Sequence, residues 1–455
     1  MATILTGRRI LLPGNPEPRP ATITIDASGK IIAVDDAAHA RNAVSDHNIT
    51  QWIDAQDDIV LPGLVDAHVH LNEPGRTDWE GFWTGTRAAA AGGVTCVVDM
   101  PLNSIPPTTT VANLDLKRQA ARGQCFTDVA FWGGVIPGNQ PHLKPLVDAG
   151  VKGFKCFLID SGVEEFPCVS ESDAQHAMEI LQDCPTVLLF HAEFDSSPAS
   201  QSEQQGPSTD YSTFLASRPQ RFEEDAISLI TKLQKECPLL RCHIVHLSAA
   251  SALPLIRAAK SSGLKLTVET CFHYLCLSAD EIPSGHPEYK CCPAIRHADN
   301  RELLWEALLD GTIDCVVSDH SPCVAELKKL DEGDIMGAWG GISSLGLGFS
   351  LLWTEGSKRG VSLAQIIEWP TKKTAEHAGL SGSKGELKVG YDGDFVIWDP
   401  SAEFTVTKES LQFKNKLSPY EGMTLRGRVK QTYVRGNLVY DQNNGFATAP
   451  VGCML

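Results

Sequence analysis

His68 and His70 flank Val69 at the end of the apolar run Gly63-Leu64-Val65-Asp66-Ala67. On a strand, residues two apart leave the same face, so both imidazoles point the same way. Neutral imidazole is a common metal ligand, which makes the pair one half of a candidate metal site. Taken alone, two such histidines fit a core or surface role as well. Three further apolar runs end on ligand-type residues: Val187-Leu188-Leu189-Phe190 on His191, His243-Ile244-Val245 on His246, and Cys315-Val316-Val317-Ser318 on Asp319. Lys155 lies inside another run. Any one of these could be a satisfied core histidine or a helix-capping aspartate, but their recurrence at the ends of separate runs favours a shared site. Strand parity puts His243 and His246 on opposite faces and makes His246, nearer the C-terminal end, the better ligand. By the same parity His320 points away from Asp319 and serves only to support it.

Four histidines and one aspartate could hold two divalent ions, with zinc preferred and manganese or cobalt as alternatives. The set lacks a bridging anion. A buried lysine loses its proton more easily than an exposed one. The neutral amine of Lys155 could then add CO2 and become a carbamate, N6-carboxylysine, which two cations would stabilise. The plainer reading of Lys155 is a barrel lysine paired with a carboxylate.

Eight short apolar runs could position these groups: Gly63-to-Leu71, Thr95-to-Met100, Asp128-to-Val135, Val151-to-Leu158, Thr186-to-His191, Cys242-to-Leu247, Leu264-to-Thr270 and Asp314-to-Ser318. Each reads as a strand buried on both faces, with helix-like stretches between most of them. One such stretch begins at Thr77-Asp78-Trp79-Glu80, which has capping-box spacing, and stops at Gly92-Gly93. Another, Glu223 to Lys235, is apolar at Ala226, Leu229, Ile230 and Leu233. The pattern predicts a (β/α)8 barrel, a TIM barrel, over residues 61–384, with its chemistry at the C-terminal ends of the strands. A doubly wound open sheet is the alternative, but no GxGxxG or phosphate loop follows the first run. Residues 1–60 and 385–455 alternate apolar and polar positions between turns. Neither has the apolar content for a core, so they are expected to combine into one small β-sandwich domain. The Ser/Gln-rich segment Ser196-to-Tyr211 reads as a surface loop.

The chain has 455 residues and carries 39 Lys+Arg against 56 Asp+Glu, a net charge of −17, which argues against a nucleic-acid partner. No apolar run approaches the roughly 20 residues that cross a bilayer, and the N-terminus has no signal-type apolar stretch, so a cytoplasmic protein without a membrane partner is expected. The 14 cysteines include no CxxC pair and several sit in strand-like runs, which suits reduced, buried thiols better than a disulfide framework. The sequon Asn48-Ile49-Thr50 carries little weight in that setting.

Longer motifs carry a resemblance. Leu61-to-His70, Gly153-Phe154-Lys155, His191, His246, Asp319 and Val389-to-Asp394 resemble the amidohydrolase superfamily, and within it the cyclic-amidase branch, along nearly the whole chain. Narrower stretches are similar to the ureide-ring hydrolases of that branch: His70-to-Arg76 with Trp79-to-Phe82, Asp99-to-Ser104, Lys155-to-Leu158, Ser161-to-Pro167, Ser318-to-Cys323 and Trp339-to-Ile342. The resemblance implies a binuclear centre. His68 and His70 would hold the more buried ion and His191 and His246 the other. Carboxylated Lys155 would bridge them, and Asp319 would ligate and shuttle protons. It also implies a homo-oligomer, dimer or tetramer. The expected reaction is hydrolysis of allantoin to allantoate in purine degradation. The alternatives are a dihydropyrimidinase- or hydantoinase-type activity and a metal-free scaffold relative. Asn72 stands where dihydroorotases carry Arg, and Cys156 to Gly162 lack the Tyr of hydantoinases. Candidate substrate contacts are backbone groups near Cys292 and Gly341, then Asn72 and Ser321. For Asn72 loop capping is an equal reading, and for Cys323 a buried inert thiol is preferred. Three departures from the family pattern bear on loop shape: Phe272, Ala294 and Ile159-Asp160.

Overall fold

The computed structural model describes residues 2–43, 49–196 and 206–455. Asn48 of the sequon and residues 197–205 of the Ser/Gln-rich segment lie outside the described residues. Eight parallel strands form the centre, and all eight apolar runs supply one. In chain order they are Leu64–Val69, Val94–Asp99, Asp128–Phe131 continuing at Gly133–Gly134, Phe154–Phe157, Val187–His191, Arg241–Ile244, Leu266–Cys271 and Cys315–Val317. Each pairs with the next in sequence. The ring closes where Val69 bridges to His320 and the His70 N–H donates to the His320 carbonyl at 2.9 Å. Helices such as Phe82–Ala91, Glu171–Leu181 and Arg221–Glu236 connect the strands on the outside. The molecule is therefore a (β/α)8 barrel. The strands are short and buried almost throughout because helices cover one face and barrel side chains fill the other.

A separate nine-stranded sheet draws on both ends of the chain. Ile59–Pro62 is its seam. It pairs in parallel with Ala2–Ile10, Arg9 opposite Ile59, and antiparallel with Phe395–Thr405, Leu61 opposite Val396. Leu5, Ile10, Ile23, Val60, Phe395 and Tyr433 share one core, so apolar faces that neither terminus could cover alone are buried together. Charge also joins sheet to barrel. Lys384 is fully buried and contacts Asp128 of the third barrel strand, Asp392 at 2.8 Å and Asp394 at 2.7 Å. Arg435 also contacts Asp128, and the Cys453 N–H donates to it at 2.7 Å.

The first helix begins later than its capping-box spacing suggests. Residues 77–79 form a turn and the helix runs from Phe82 to Ala91 with Gly81 at its N-cap. The Glu80 carboxylate is used elsewhere: it meets His320 Nε2 at 3.2 Å and accepts from the Lys414 N–H at 3.2 Å. At the other end Gly92 and Gly93 stop the helix as expected, with φ +83° at Gly93.

All 14 cysteines are free, and burial raises the Cys323 thiol to about 11, as expected of an inert group. Among the described residues no helix is long and apolar enough to cross a membrane.

Candidate metal centre

The six candidate ligands come from five strands and meet at one end of the barrel. His68 lies on the first strand and His70 one residue beyond it. Lys155 is on the fourth and His191 ends the fifth. His246 and Asp319 each sit two residues past the sixth and eighth strands. All six line one cavity of about 480 Å³ and are buried themselves. His68 Nε2 is 3.1 Å from Asp319 Oδ1, and His70 Nε2 is 3.5 Å from the same oxygen. The His68 and His246 rings are 5.4 Å apart and the His191 and His246 rings 4.6 Å apart.

His246 and Asp319 share a backbone feature, φ of +41° and +44°. Left-handed residues just past a strand break the alternation of side chains. That corrects the parity argument. His243 does not face away from the barrel. Its Nε2 lies 3.1 Å from Glu269 Oε2, inside the barrel below the cavity, while His246 lines the cavity. His320 behaves as expected. It lines no part of the cavity, and its Nδ1 accepts from the Ser344 and Leu345 N–H groups.

The electrostatics are those of a site built for cations. Burial disfavours charge on His68, but the Asp319 and Glu269 carboxylates outweigh it and lift its pKa to about 9. Burial also works against the Asp319 carboxylate, yet the charge of His68 and hydrogen bonds from His68 and His70 hold its pKa well below the ordinary range. His191 and His246 are pushed well below theirs by burial and by the nearby Lys155 charge. Burial brings Lys155 down to about 8 despite the attraction of Asp319 and Glu269. Neutral imidazoles at His191 and His246, an ionised carboxylate and an easily deprotonated amine suit divalent ions in type, and an ion at His68 would take the place of the proton its two carboxylates hold there.

Three details strengthen the fit. Ligand atoms of His68, His246 and Asp319 lie within 4.8 Å of one another. The buried His246 Nδ1 has no hydrogen-bond partner among the described residues. Both His68 and His191 turn one ring nitrogen to a buried carboxylate, His68 Nδ1 to Glu269 Oε1 at 2.5 Å and His191 Nε2 to Glu193 Oε2 at 2.7 Å. Metal-binding histidines are habitually oriented this way.

Of the candidate substrate contacts, Cys292 and Ser321 line the cavity. Asn72 does not. It sits at φ +64° and its Nδ2 donates to the Pro322 carbonyl at 3.4 Å, a loop-holding arrangement. Gly341 lies just behind the wall. Its N–H donates to the Lys290 carbonyl, its own carbonyl accepts from Lys328, and a Cβ there would lie 2.3 Å from the Ser321 carbonyl oxygen. Its neighbour Gly340 lines the cavity.

The departures are accommodated. The Phe272 ring fills the space over Gly348, where a Cβ would come within 2.1 Å of it. Ala294 is buried and its carbonyl accepts from Ser248 Oγ at 2.6 Å. Asp160 borders the cavity and accepts from the Gly162 N–H at 3.1 Å.

Several neighbours were not among the candidate site residues, although Asn103 lies within the Asp99-to-Ser104 motif. They are Glu269, Glu193, Asn103, whose Nδ2 is 3.2 Å from His70 Nδ1, and Arg218, which meets Glu193 at 2.9 Å and lines the cavity. Glu269 did leave a signal, a carboxylate inside the apolar run Leu264-to-Thr270.

Comparison with known proteins agrees with this geometry. The model of the amidohydrolase family matches residues 59–439. The chain is 48% identical over 439 residues to an allantoinase of Saccharomyces cerevisiae, covering 95% of each. It is 47% identical over 452 residues to an allantoinase of Streptomyces avermitilis, covering 99% of this chain and 98% of that one. The solved L-hydantoinase (dihydropyrimidinase) of Arthrobacter aurescens superposes with a TM-score of 0.91 at 30% identity over 99% of both chains. The cavity at the C-terminal ends of the barrel strands holds histidine and aspartate donors of the types that bind divalent ions, and with these matches the chain belongs to the amidohydrolase family.

Proposed function

We propose that this chain hydrolyses the five-membered ring of allantoin to allantoate. The observation that carries the reaction class is the convergence of His68, His70, Lys155, His191, His246 and Asp319 on one cavity. The substrate follows from the allantoinases it resembles over nearly its full length. A cavity of about 480 Å³ is within the range for a small ligand.

In this reading His68 and His70 would hold one ion and His191 and His246 the other, most simply zinc, and Lys155 would join the donor set as a carbamate. Two such ions, when bound, supply a water acidic enough to attack at neutral pH and polarise a ring carbonyl. Asp319 stays ionised, so it can take the proton of the attacking water and deliver it to the leaving ring nitrogen. Lys155 is buried and half-neutral near pH 8, which favours addition of CO2 to its amine. Leu102, Phe157 and Trp339 border the cavity and limit access of bulk water. The reading extends to a cytoplasmic homo-oligomer, supported by resemblance alone and checked by light scattering.

Turnover of allantoin, hydantoin, dihydrouracil and dihydroorotate by zinc-loaded protein tests the substrate. Allantoin is expected to be fastest; preference for hydantoin or dihydrouracil would replace it with the hydantoinase reading that the structural neighbours suggest. Binding of less than one ion per chain would sink the metal reading. Protein loaded under labelled CO2 should show a carbamate carbon, and its absence with two ions bound removes the bridge.

A further inference from the structure

We infer that Glu269 is a positioning residue for both halves of the ligand set, fixing the His68 ring and the His246 backbone, and that His243 holds Glu269 in place. The inference rests on the metal reading above. Glu269 lies on the seventh strand and has no exposed surface. Three donors converge on it. His68 Nδ1 is 2.5 Å from Oε1, the His246 N–H is 3.3 Å from the same oxygen, and His243 Nε2 is 3.1 Å from Oε2. One carboxylate thus touches a residue from each proposed ion's pair.

Proton positions follow from the chemistry of the groups. An ionised carboxylate only accepts, so each ring nitrogen facing Glu269 carries a proton. For His68 that nitrogen is Nδ1, so a cation would bind at Nε2, the atom facing Asp319, in place of the proton that Nε2 donates to that carboxylate. For His243 it is Nε2, so Nδ1 accepts from the Thr267 hydroxyl at 2.7 Å. The chain Thr267, His243, Glu269, His68 therefore fixes the tautomer of His243, and that of His68 once a cation replaces the Nε2 proton. His243 is clamped in turn by His377, whose ring stacks on it at 3.6 Å and 24°. A carboxylate present only to stabilise the barrel would not need to select the ligating nitrogen of one histidine and hold the backbone of another.

Zinc affinity, measured by competition with a chromophoric chelator, tests this. Wild type is measured first, and binding of less than one ion per chain would sink the metal reading itself. Given normal wild-type binding, Glu269→Gln is expected to weaken zinc affinity about 10- to 100-fold, the usual effect of losing such an outer partner. Its kcat should fall while KM for allantoin stays within about twofold, because Glu269 does not line the cavity. His243→Gln should show a smaller loss of the same kind. Glu223→Gln removes another buried carboxylate, one that pairs with Arg296 and the Ser248 and Ala249 N–H groups, and should leave zinc affinity unchanged. Wild-type zinc affinity in Glu269→Gln, or an equal loss in Glu223→Gln, overturns the inference. Should Glu269→Gln not fold, nitrogen-15 spectra of histidine-labelled wild-type holoprotein decide: a proton on His68 Nδ1 supports it and a proton on Nε2 overturns it.

Discussion

Replacing Lys155 with methionine should make the metal-free protein more stable while abolishing turnover. The Lys155 pKa falls from 10.5 to about 8 because burial penalises the ammonium. A base whose folded pKa lies below its unfolded value is protonated more readily in the unfolded chain. Its penalty on folding is therefore fully present below about pH 8 and fades as pH rises toward 10.5. At roughly 1.4 kcal/mol per pKa unit, the penalty is on the order of 3 kcal/mol at pH 7 and about 1 kcal/mol at pH 10. Methionine has similar length, carries no charge and suits a buried position. For a cooperative unit of this length, 3 kcal/mol corresponds to about 3 °C in Tm. Urea unfolding of chelator-treated wild type and Lys155→Met at pH 7 and pH 10 reads the difference directly. The variant should be more stable at both, with a gap that narrows by about 2 kcal/mol between them. Equal stabilities at pH 7, or a gap that widens with pH, would refute the claim that Lys155 is held against a desolvation penalty. Retained turnover in the variant would refute its place among the ligands.

Asp319→Asn should keep the cavity but lose most turnover, about 100-fold or more, because the amide cannot take a proton; near-normal kcat at full zinc occupancy would remove Asp319 from proton transfer. Lys384→Met should cost about 3–5 kcal/mol by leaving Asp128, Asp392 and Asp394 buried with too little positive charge. Part of that loss should return as pH falls, since the stripped carboxylates then bind protons more readily folded than unfolded. Denaturant melts at pH 7 and pH 5 check both statements, and a loss under 1 kcal/mol would show that the cluster is not what joins sheet to barrel.

Much of the fold was legible because it is repetitive. Each barrel strand must be apolar on both faces, and that requirement writes a short apolar run into the chain eight times. The candidate ligands were legible for a related reason, since imidazole and charged side chains recurring at the ends of separate runs favour a shared site. The start of the first helix was misread because Thr77-to-Glu80 has capping-box spacing, while Glu80 is recruited by His320 and Lys414, residues more than 200 positions away. The face of His243 was misread because strand parity assumes regular backbone, and His246 sits at φ +41°.

The sequence by itself determined which residue types are present and that strand ends recur with ligand-type residues, since local periodicity is encoded by neighbouring residues. Only the tertiary structure decided that Glu269, His68, His243 and His246 form one hydrogen-bonded unit, that Asn72 holds a loop instead of facing the cavity, and that Lys384 joins Asp128 to Asp392 and Asp394. Those relations join residues up to 256 positions apart, and their energies arise from shared burial, which no local window of sequence contains.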